Sequence, residues 1–101
     1  MRKVIVNTTP LIALAGIGQL ELLHKLYTEV YIPDAVMKET ESEPARTLVT
    51  KAEWIRKKRI NHSERKSLFR ARLHAGEVEV IILAEEESAD LVIMDDNTAK
   101  K

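Results

Sequence analysis

The apolar positions of this chain fall into short blocks, each closed by polar groups or a proline. Val4-Ile5-Val6 runs straight into Asn7-Thr8-Thr9, and Leu91-Val92-Ile93-Met94 into Asp95-Asp96-Asn97. Runs this short, with no alternation, suit strands enclosed on both faces, as in a parallel sheet. Thr9-Pro10 is a helix start, with threonine as the cap and proline where its missing N–H is no loss. A short buried helix is expected over 11–15, interrupted at Gly16-Ile17-Gly18, then a second over 19–26 with Leu20, Leu23 and Leu26 on one stripe. Residues 29–32 read as a second strand, stopped by Pro33. Pro33-Asp34 opens a third helix to about Thr40, and a fourth covers 45–52 after the break at Glu41-Ser42-Glu43-Pro44. A third strand over 54–60 precedes a basic helix that starts after His62-Ser63-Glu64 and runs to about Leu73. Gly76 separates that helix from an apolar one over 77–87, and the last strand is 91–94. Strands alternating with helices imply right-handed crossovers, hence a three-layer α/β/α fold on a parallel sheet, in a single domain over 1–101.

Composition narrows the function classes. Of 101 residues, 45% are hydrophobic and 32% charged, enough to build a core and unlike a disordered chain. The absence of cysteine excludes a disulfide scaffold, thiolate zinc sites and cysteine nucleophiles. No apolar stretch can span a bilayer, and Met1-Arg2-Lys3-Val4-Ile5 reads as a strand start and not a signal peptide, so a cytoplasmic protein with no membrane partner is expected. The chain ends five residues after Asp96, too soon for the helix and strand that normally cover such a sheet edge. Either the sequence is truncated or a partner chain covers that edge, in the simplest case a second copy in a homodimer.

Acids just past the carboxyl end of a buried strand stand where open α/β sheets carry their ligands. The groups to follow are therefore Asn7, Thr9, Glu39, Glu77, Glu79, Asp95 and Asp96. Asp95 follows its strand directly and needs a cation or donors to be tolerated there. Asp96 reads equally well as part of a turn and helix cap. Glu79 lies in Val78-Glu79-Val80-Ile81-Ile82-Leu83-Ala84, a helix apolar nearly all round, and its neighbours Ile82 and Leu83 offer no counter-charge. Glu77 is better read as a solvated first-turn acid, Glu39 alone would pass as a surface residue, and Asn7 and Thr9 alone as an Asx turn and a cap. Taken together, a few oxygen donors from separate elements suit Mg²⁺ or Mn²⁺.

At this point the motifs match a known pattern. Val4-Ile5-Val6-Asn7-Thr8-Thr9-Pro10-Leu11-Ile12, Tyr31-Ile32-Pro33-Asp34-Ala35-Val36-Met37-Lys38-Glu39, Gly76-Glu77-Val78-Glu79-Val80-Ile81 and Leu91-Val92-Ile93-Met94-Asp95-Asp96 come in the right order over nearly the whole chain. In these the chain resembles the PIN-domain family of metal-dependent ribonucleases, in particular its small prokaryotic branch with toxin-type endoribonucleases and nucleic-acid binders. The resemblance implies a sheet ordered 3-2-1-4, usually with a fifth strand beside the fourth, and that strand is missing from these residues. It places the family's acidic positions at Asn7, Glu39, Glu79 and Asp95, with Thr9 as the supporting hydroxyl, Glu77 nearby and Asp96 as an auxiliary ligand. It implies hydrolysis of single-stranded RNA by metal-activated water, and an antitoxin as a protein partner. Asn7 departs from the usual aspartate: its amide oxygen can ligate but carries no charge.

Basic residues concentrate in the middle of a chain whose formal net charge is zero. Arg56 to Arg59 read best as guards of an edge strand, while Arg65, Lys66, Arg70 and Arg72 form either a phosphate-tracking surface or a solvated face. His24, His62 and His74 lack ligand spacing and read as surface residues, and Trp54 and Phe69 as core. Two functions follow: a Mg²⁺/Mn²⁺-dependent endoribonuclease acting as the toxin of a toxin–antitoxin pair, or a catalytically silent PIN-like module that binds RNA or protein. A cofactor enzyme is disfavoured, because no Gly-rich loop follows the first strand.

Overall fold

Four short strands, β1 (Val4–Val6), β2 (Val30–Pro33), β3 (Ile55–Lys58) and β4 (Leu91–Ile93), form one parallel sheet in the order β3-β2-β1-β4. The structure is a computed structural model and describes residues 3–68 and 75–94. The register sets Ile5 against Tyr31 on one side and Val92 on the other, so β1 is central, and its three residues are wholly buried. The strands step in one direction from β1 to β3, and β4 then returns to the far side of β1. The strand order thus reverses between β1 and β4, and in open α/β sheets the carboxyl ends of the strands at such a switch point are where ligands bind.

Around the sheet lie α1 (Thr8–Gly16), α2 (Glu21–Tyr27), α3 (Asp34–Glu39), α4 (Ala45–Lys51) and α5 (Ala75–Glu87), with a 3₁₀ helix at Ser63–Leu68. Successive residues of β3 show which helix covers which face, because their side chains point opposite ways. Lys57 donates to the Val49 carbonyl on α4 at 3.1 Å, whereas Lys58 pairs with Glu87 on α5 at 3.1 Å. α4 and α5 therefore flank the sheet from opposite sides, as a right-handed return to β4 requires.

Local corrections to the sequence reading have physical causes. The first helix starts at Thr8, ahead of Pro10, because the Asn7 N–H still completes the sheet by donating to Ile93 at 2.8 Å and the chain turns at once. Pro10 then sits in the first turn, where its lack of an N–H leaves nothing unpaired. Leu20 and Leu23 are buried but Leu26 is 66% exposed, since α2 ends at Tyr27 and Thr28 turns the chain (φ 68°) toward β2. The basic segment begins as a 3₁₀ helix, and residues 69–74, with Phe69, Arg70, Arg72 and His74, lie outside the described residues. The apolar helix starts at Ala75, so Gly76 is inside it.

β3 is the terminal strand on its side, and its charges are matched locally. Arg56 pairs with Glu29 at 3.1 Å and Arg59 with Asp34 at 3.4 Å, while burial pushes the Lys57 ammonium below its ordinary pKa. A row of exposed cations discourages another strand from docking there. Trp54 is partly buried and stacks on His24, with ring centroids 5.1 Å apart, while the His62 ring meets Glu86 at 3.0 Å.

α5 does most of the burying. Gly76 to Val80, Ile82 and Leu83 are all enclosed, between the sheet and the elements packed outside it. Its carboxyl end is acidic, which the helix dipole disfavours, and each acid has its own partner. Glu85 pairs with Arg65, and Glu86 accepts from the backbone N–H groups of Asn61 and His62, both at 2.8 Å. Glu87 is bridged by Lys3 and Lys58, both at 3.1 Å. These two lysines hold the Glu87 carboxyl below its ordinary range. Burial pushes Glu86 up, but the N–H groups and the His62 ring outweigh it and leave Glu86 low as well.

Two outcomes are expected. Ile82→Ala, at a site with no exposure, lowers unfolding free energy by about 2–5 kcal/mol in urea titration. A carboxyl lowered by folding adds stability that is complete above its unfolded pKa of about 4.3 and is lost as pH falls through the lower folded value. Glu87→Gln should therefore lose stability at neutral pH and show a shallower acid limb below about pH 4.3, read from the urea midpoint against pH.

Candidate metal-binding crevice

Asn7 ends β1 in extended conformation (φ −83°, ψ 171°) at the position that normally caps a helix, yet its side chain makes no capping bond to α1. The residue is 4% exposed, and its Oδ1 is a buried oxygen without a hydrogen-bond partner among the described residues. A buried carbonyl oxygen left unmatched costs about 1–3 kcal/mol, so this atom calls for a donor or a cation. The β1–β4 hydrogen bond fixes its surroundings: the Asn7 N–H meets the Ile93 carbonyl, and the chain leaves β4 next to it through Met94.

The carboxylates are positioned by two helices that cap one another. Glu39, the last residue of α3, accepts from the Gly76 N–H at the start of α5 through Oε2 (2.9 Å). Its Oε1 accepts from the Thr8 hydroxyl at 2.8 Å, which ties α3 to the residue after Asn7. Glu79 on α5 reaches back to the start of α3, where its Oε1 accepts from the Ala35 N–H at 2.9 Å. Its Oε2 pairs with Lys66 of the 3₁₀ helix at 2.8 Å. Each carboxylate thus satisfies an N–H that a helix start leaves open and sits at the favourable end of its dipole.

This placement of the Glu39 carboxylate depends on the missing side chain at Gly76. A Cβ there would strike Glu39 Oε1 and lie 3.0 Å from its Cδ and 3.2 Å from Oε2. The sequence reading treated Gly76 as a separator and missed this role, since nothing local announces a carboxylate arriving from 37 residues away.

The other anticipated residues are placed as follows. Thr9 is exposed, and the hydroxyl that reaches Glu39 belongs to Thr8, one residue earlier. Glu77 is 9% exposed, a buried group and not a solvated one. Asp95 and Asp96 lie outside the described residues, as do Arg70 and Arg72. Arg65 and Lys66 turn their charges to Glu85 and Glu79 on α5. Among the described residues no three Asp, Glu or His side chains gather closely enough to hold one ion. The donor set at hand, an orphan amide oxygen and carboxylates, is nonetheless all-oxygen and hard, the kind that suits Mg²⁺ or Mn²⁺.

A parallel sheet ordered 3-2-1-4 with helices around it defines an α/β fold whose switch point falls at the carboxyl ends of β1 and β4. The family model described as DUF3368, a PIN domain, matches residues 3–101, and the chain belongs to that family. PIN domains have a nuclease-type fold and generally use divalent metals. No curated protein and no solved structure matches the chain. No helix among the described residues is long and apolar enough to cross a membrane.

Gly76→Ala should expel the Glu39 carboxylate from the start of α5 and lower stability by about 1 kcal/mol, the scale of a lost cap. In a Glu39→Ala background the same substitution should be neutral or stabilising, because alanine is the better helix former. A double-mutant cycle by urea unfolding measures the coupling. Additive effects would show that the Glu39–Gly76 contact carries no weight.

Proposed function

We propose that this chain is a divalent-metal-dependent endoribonuclease that hydrolyses single-stranded RNA, and that it is the toxin of a toxin–antitoxin pair. The observation that carries the reading is the buried Asn7 Oδ1 at the junction of β1 and β4, which has no hydrogen-bond partner among the described residues. An apolar or satisfied side chain there would make the crevice ordinary packing. Asn7, Glu39 and Glu79 would hold the ion from the described residues, and Asp95 and Asp96 follow two or three residues after the strand that the Asn7 backbone bonds. When bound, such an ion lowers the pKa of a water and offsets charge developing on the phosphate under attack.

The chain's own part is to hold the oxygens in place. The Thr8 hydroxyl and the Gly76 N–H orient Glu39, and the Ala35 N–H orients Glu79, so neither carboxylate has to be ordered when a ligand arrives. Asn7 contributes an oxygen without charge, so it weakens the cation's hold relative to an aspartate at that position.

A second reading is favoured by one specific observation: both oxygens of Glu79 already have protein partners. It is a catalytically silent PIN module that binds RNA or protein. The two part cleanly in experiment. The enzyme cleaves unstructured RNA in Mn²⁺ and stops in a chelator, and Asp95→Asn and Glu79→Gln each lower the rate by roughly a hundredfold or more. Glutamine keeps an oxygen for the Ala35 N–H, so that loss is not unfolding. Asn7→Asp should raise activity. RNA binding that ignores the chelator, with no cleavage in Mn²⁺, would select the silent module.

A further inference from the structure

The ion pair between Lys66 and Glu79 has a consequence for how the crevice takes up a cation. The Glu79 side chain is 8% exposed, and its helical neighbours Ile82 and Leu83 are buried hydrocarbon. A carboxylate so enclosed needs a counter-charge, because burying it alone is strongly unfavourable. Oε1 is occupied by the Ala35 N–H, so Oε2, where the Lys66 ammonium sits at 2.8 Å, is the face left for a cation. An ammonium and a divalent ion repel each other at that range, so each weakens the other's hold on the oxygen.

The two ends of the pair differ in how readily they move. Glu79 is held on a thirteen-residue helix whose first turns are enclosed, whereas the Lys66 side chain is 47% exposed on a short 3₁₀ helix. A lysine head on a flexible stem can leave for water without moving its backbone. The surrounding segment stays anchored when it does, because Arg65 holds Glu85 and the Asn61 and His62 N–H groups hold Glu86.

We propose that Lys66 is a built-in competitor for the divalent cation: its ammonium holds Glu79 Oε2 in the metal-free protein and swings into solvent when the ion binds. This rests on the metal-site reading above. It assigns Lys66 to control of cation affinity and not to phosphate tracking, and linkage makes the effect reciprocal. Whatever frees Lys66 tightens the ion, and the ion frees Lys66.

The test uses the full chain and Mn²⁺ alone, by titration calorimetry, on wild type, Lys66→Met, Lys66→Arg and Asn7→Asp. Thermal unfolding of each confirms that it is folded. Lys66→Met should bind Mn²⁺ roughly fivefold more tightly, the scale of a half-exposed ion pair, and Lys66→Arg, which keeps the charge, should stay within about twofold of wild type. In a second readout, Mn²⁺ should speed acylation of Lys66 by an amine-directed reagent, followed by mass spectrometry. If Asn7→Asp tightens Mn²⁺ while Lys66→Met binds as wild type does, or if Mn²⁺ leaves Lys66 labelling unchanged, the competitor role is wrong and the metal site stands. If none of the four proteins binds Mn²⁺, the metal site itself is wrong and the competitor falls with it.

Discussion

Two carboxylates that cap each other's helices hold α3 and α5 together. Glu39 closes the start of α5 and Glu79 the start of α3, so the two helices are pinned at both ends of their contact. Each bond replaces water at a helix start with a charged acceptor, stronger than a neutral one. Thr8 extends the lock to the end of β1. The carboxylates that secure this packing are also those proposed above to hold a cation.

Such an arrangement resolves the difficulty of acids near a core. α5 is enclosed along its first turns and would not tolerate bare carboxylates there. Backbone N–H groups and one lysine supply the compensation within the chain, so the acids are kept in position before any ligand arrives. Asn7 differs from them. Its amide carries no charge, and its oxygen is the one buried side-chain polar atom left without a partner among the described residues.

The opposite end of α5 shows the same economy of charge. Glu85, Glu86 and Glu87 stand against the dipole, yet each ties down a different piece of chain: the 3₁₀ helix, the loop at Asn61 and His62, and Lys3 just before β1 together with Lys58 of β3. The Tyr31 ring lies between those two lysines, 5.8 Å from one ammonium and 5.9 Å from the other. Among the described residues, Lys58, Arg65 and Lys66 thus use their charges to hold β3 and the 3₁₀ helix to α5.

The sequence by itself determined the sheet. Val4-Ile5-Val6, Val30-Tyr31-Ile32 and Leu91-Val92-Ile93 are short apolar runs that suit a covered parallel sheet, and the motif order carried the 3-2-1-4 topology through family resemblance. It also marked Glu79 as anomalous, because a charge amid Val78, Val80, Ile82 and Leu83 has no local partner. Only the tertiary structure decided which partner each group meets. Thr8 and Thr9 are indistinguishable as letters, and a single step in where β1 yields to α1 turned one toward Glu39 and the other to solvent. Gly76 read as a spacer until Glu39 came to occupy the place of its missing side chain. Lys66 read as one more basic residue until Glu79 was found beneath it. Periodicity records which way a residue faces along its own element, whereas these contacts span from 13 to 37 positions and depend on how separate elements dock.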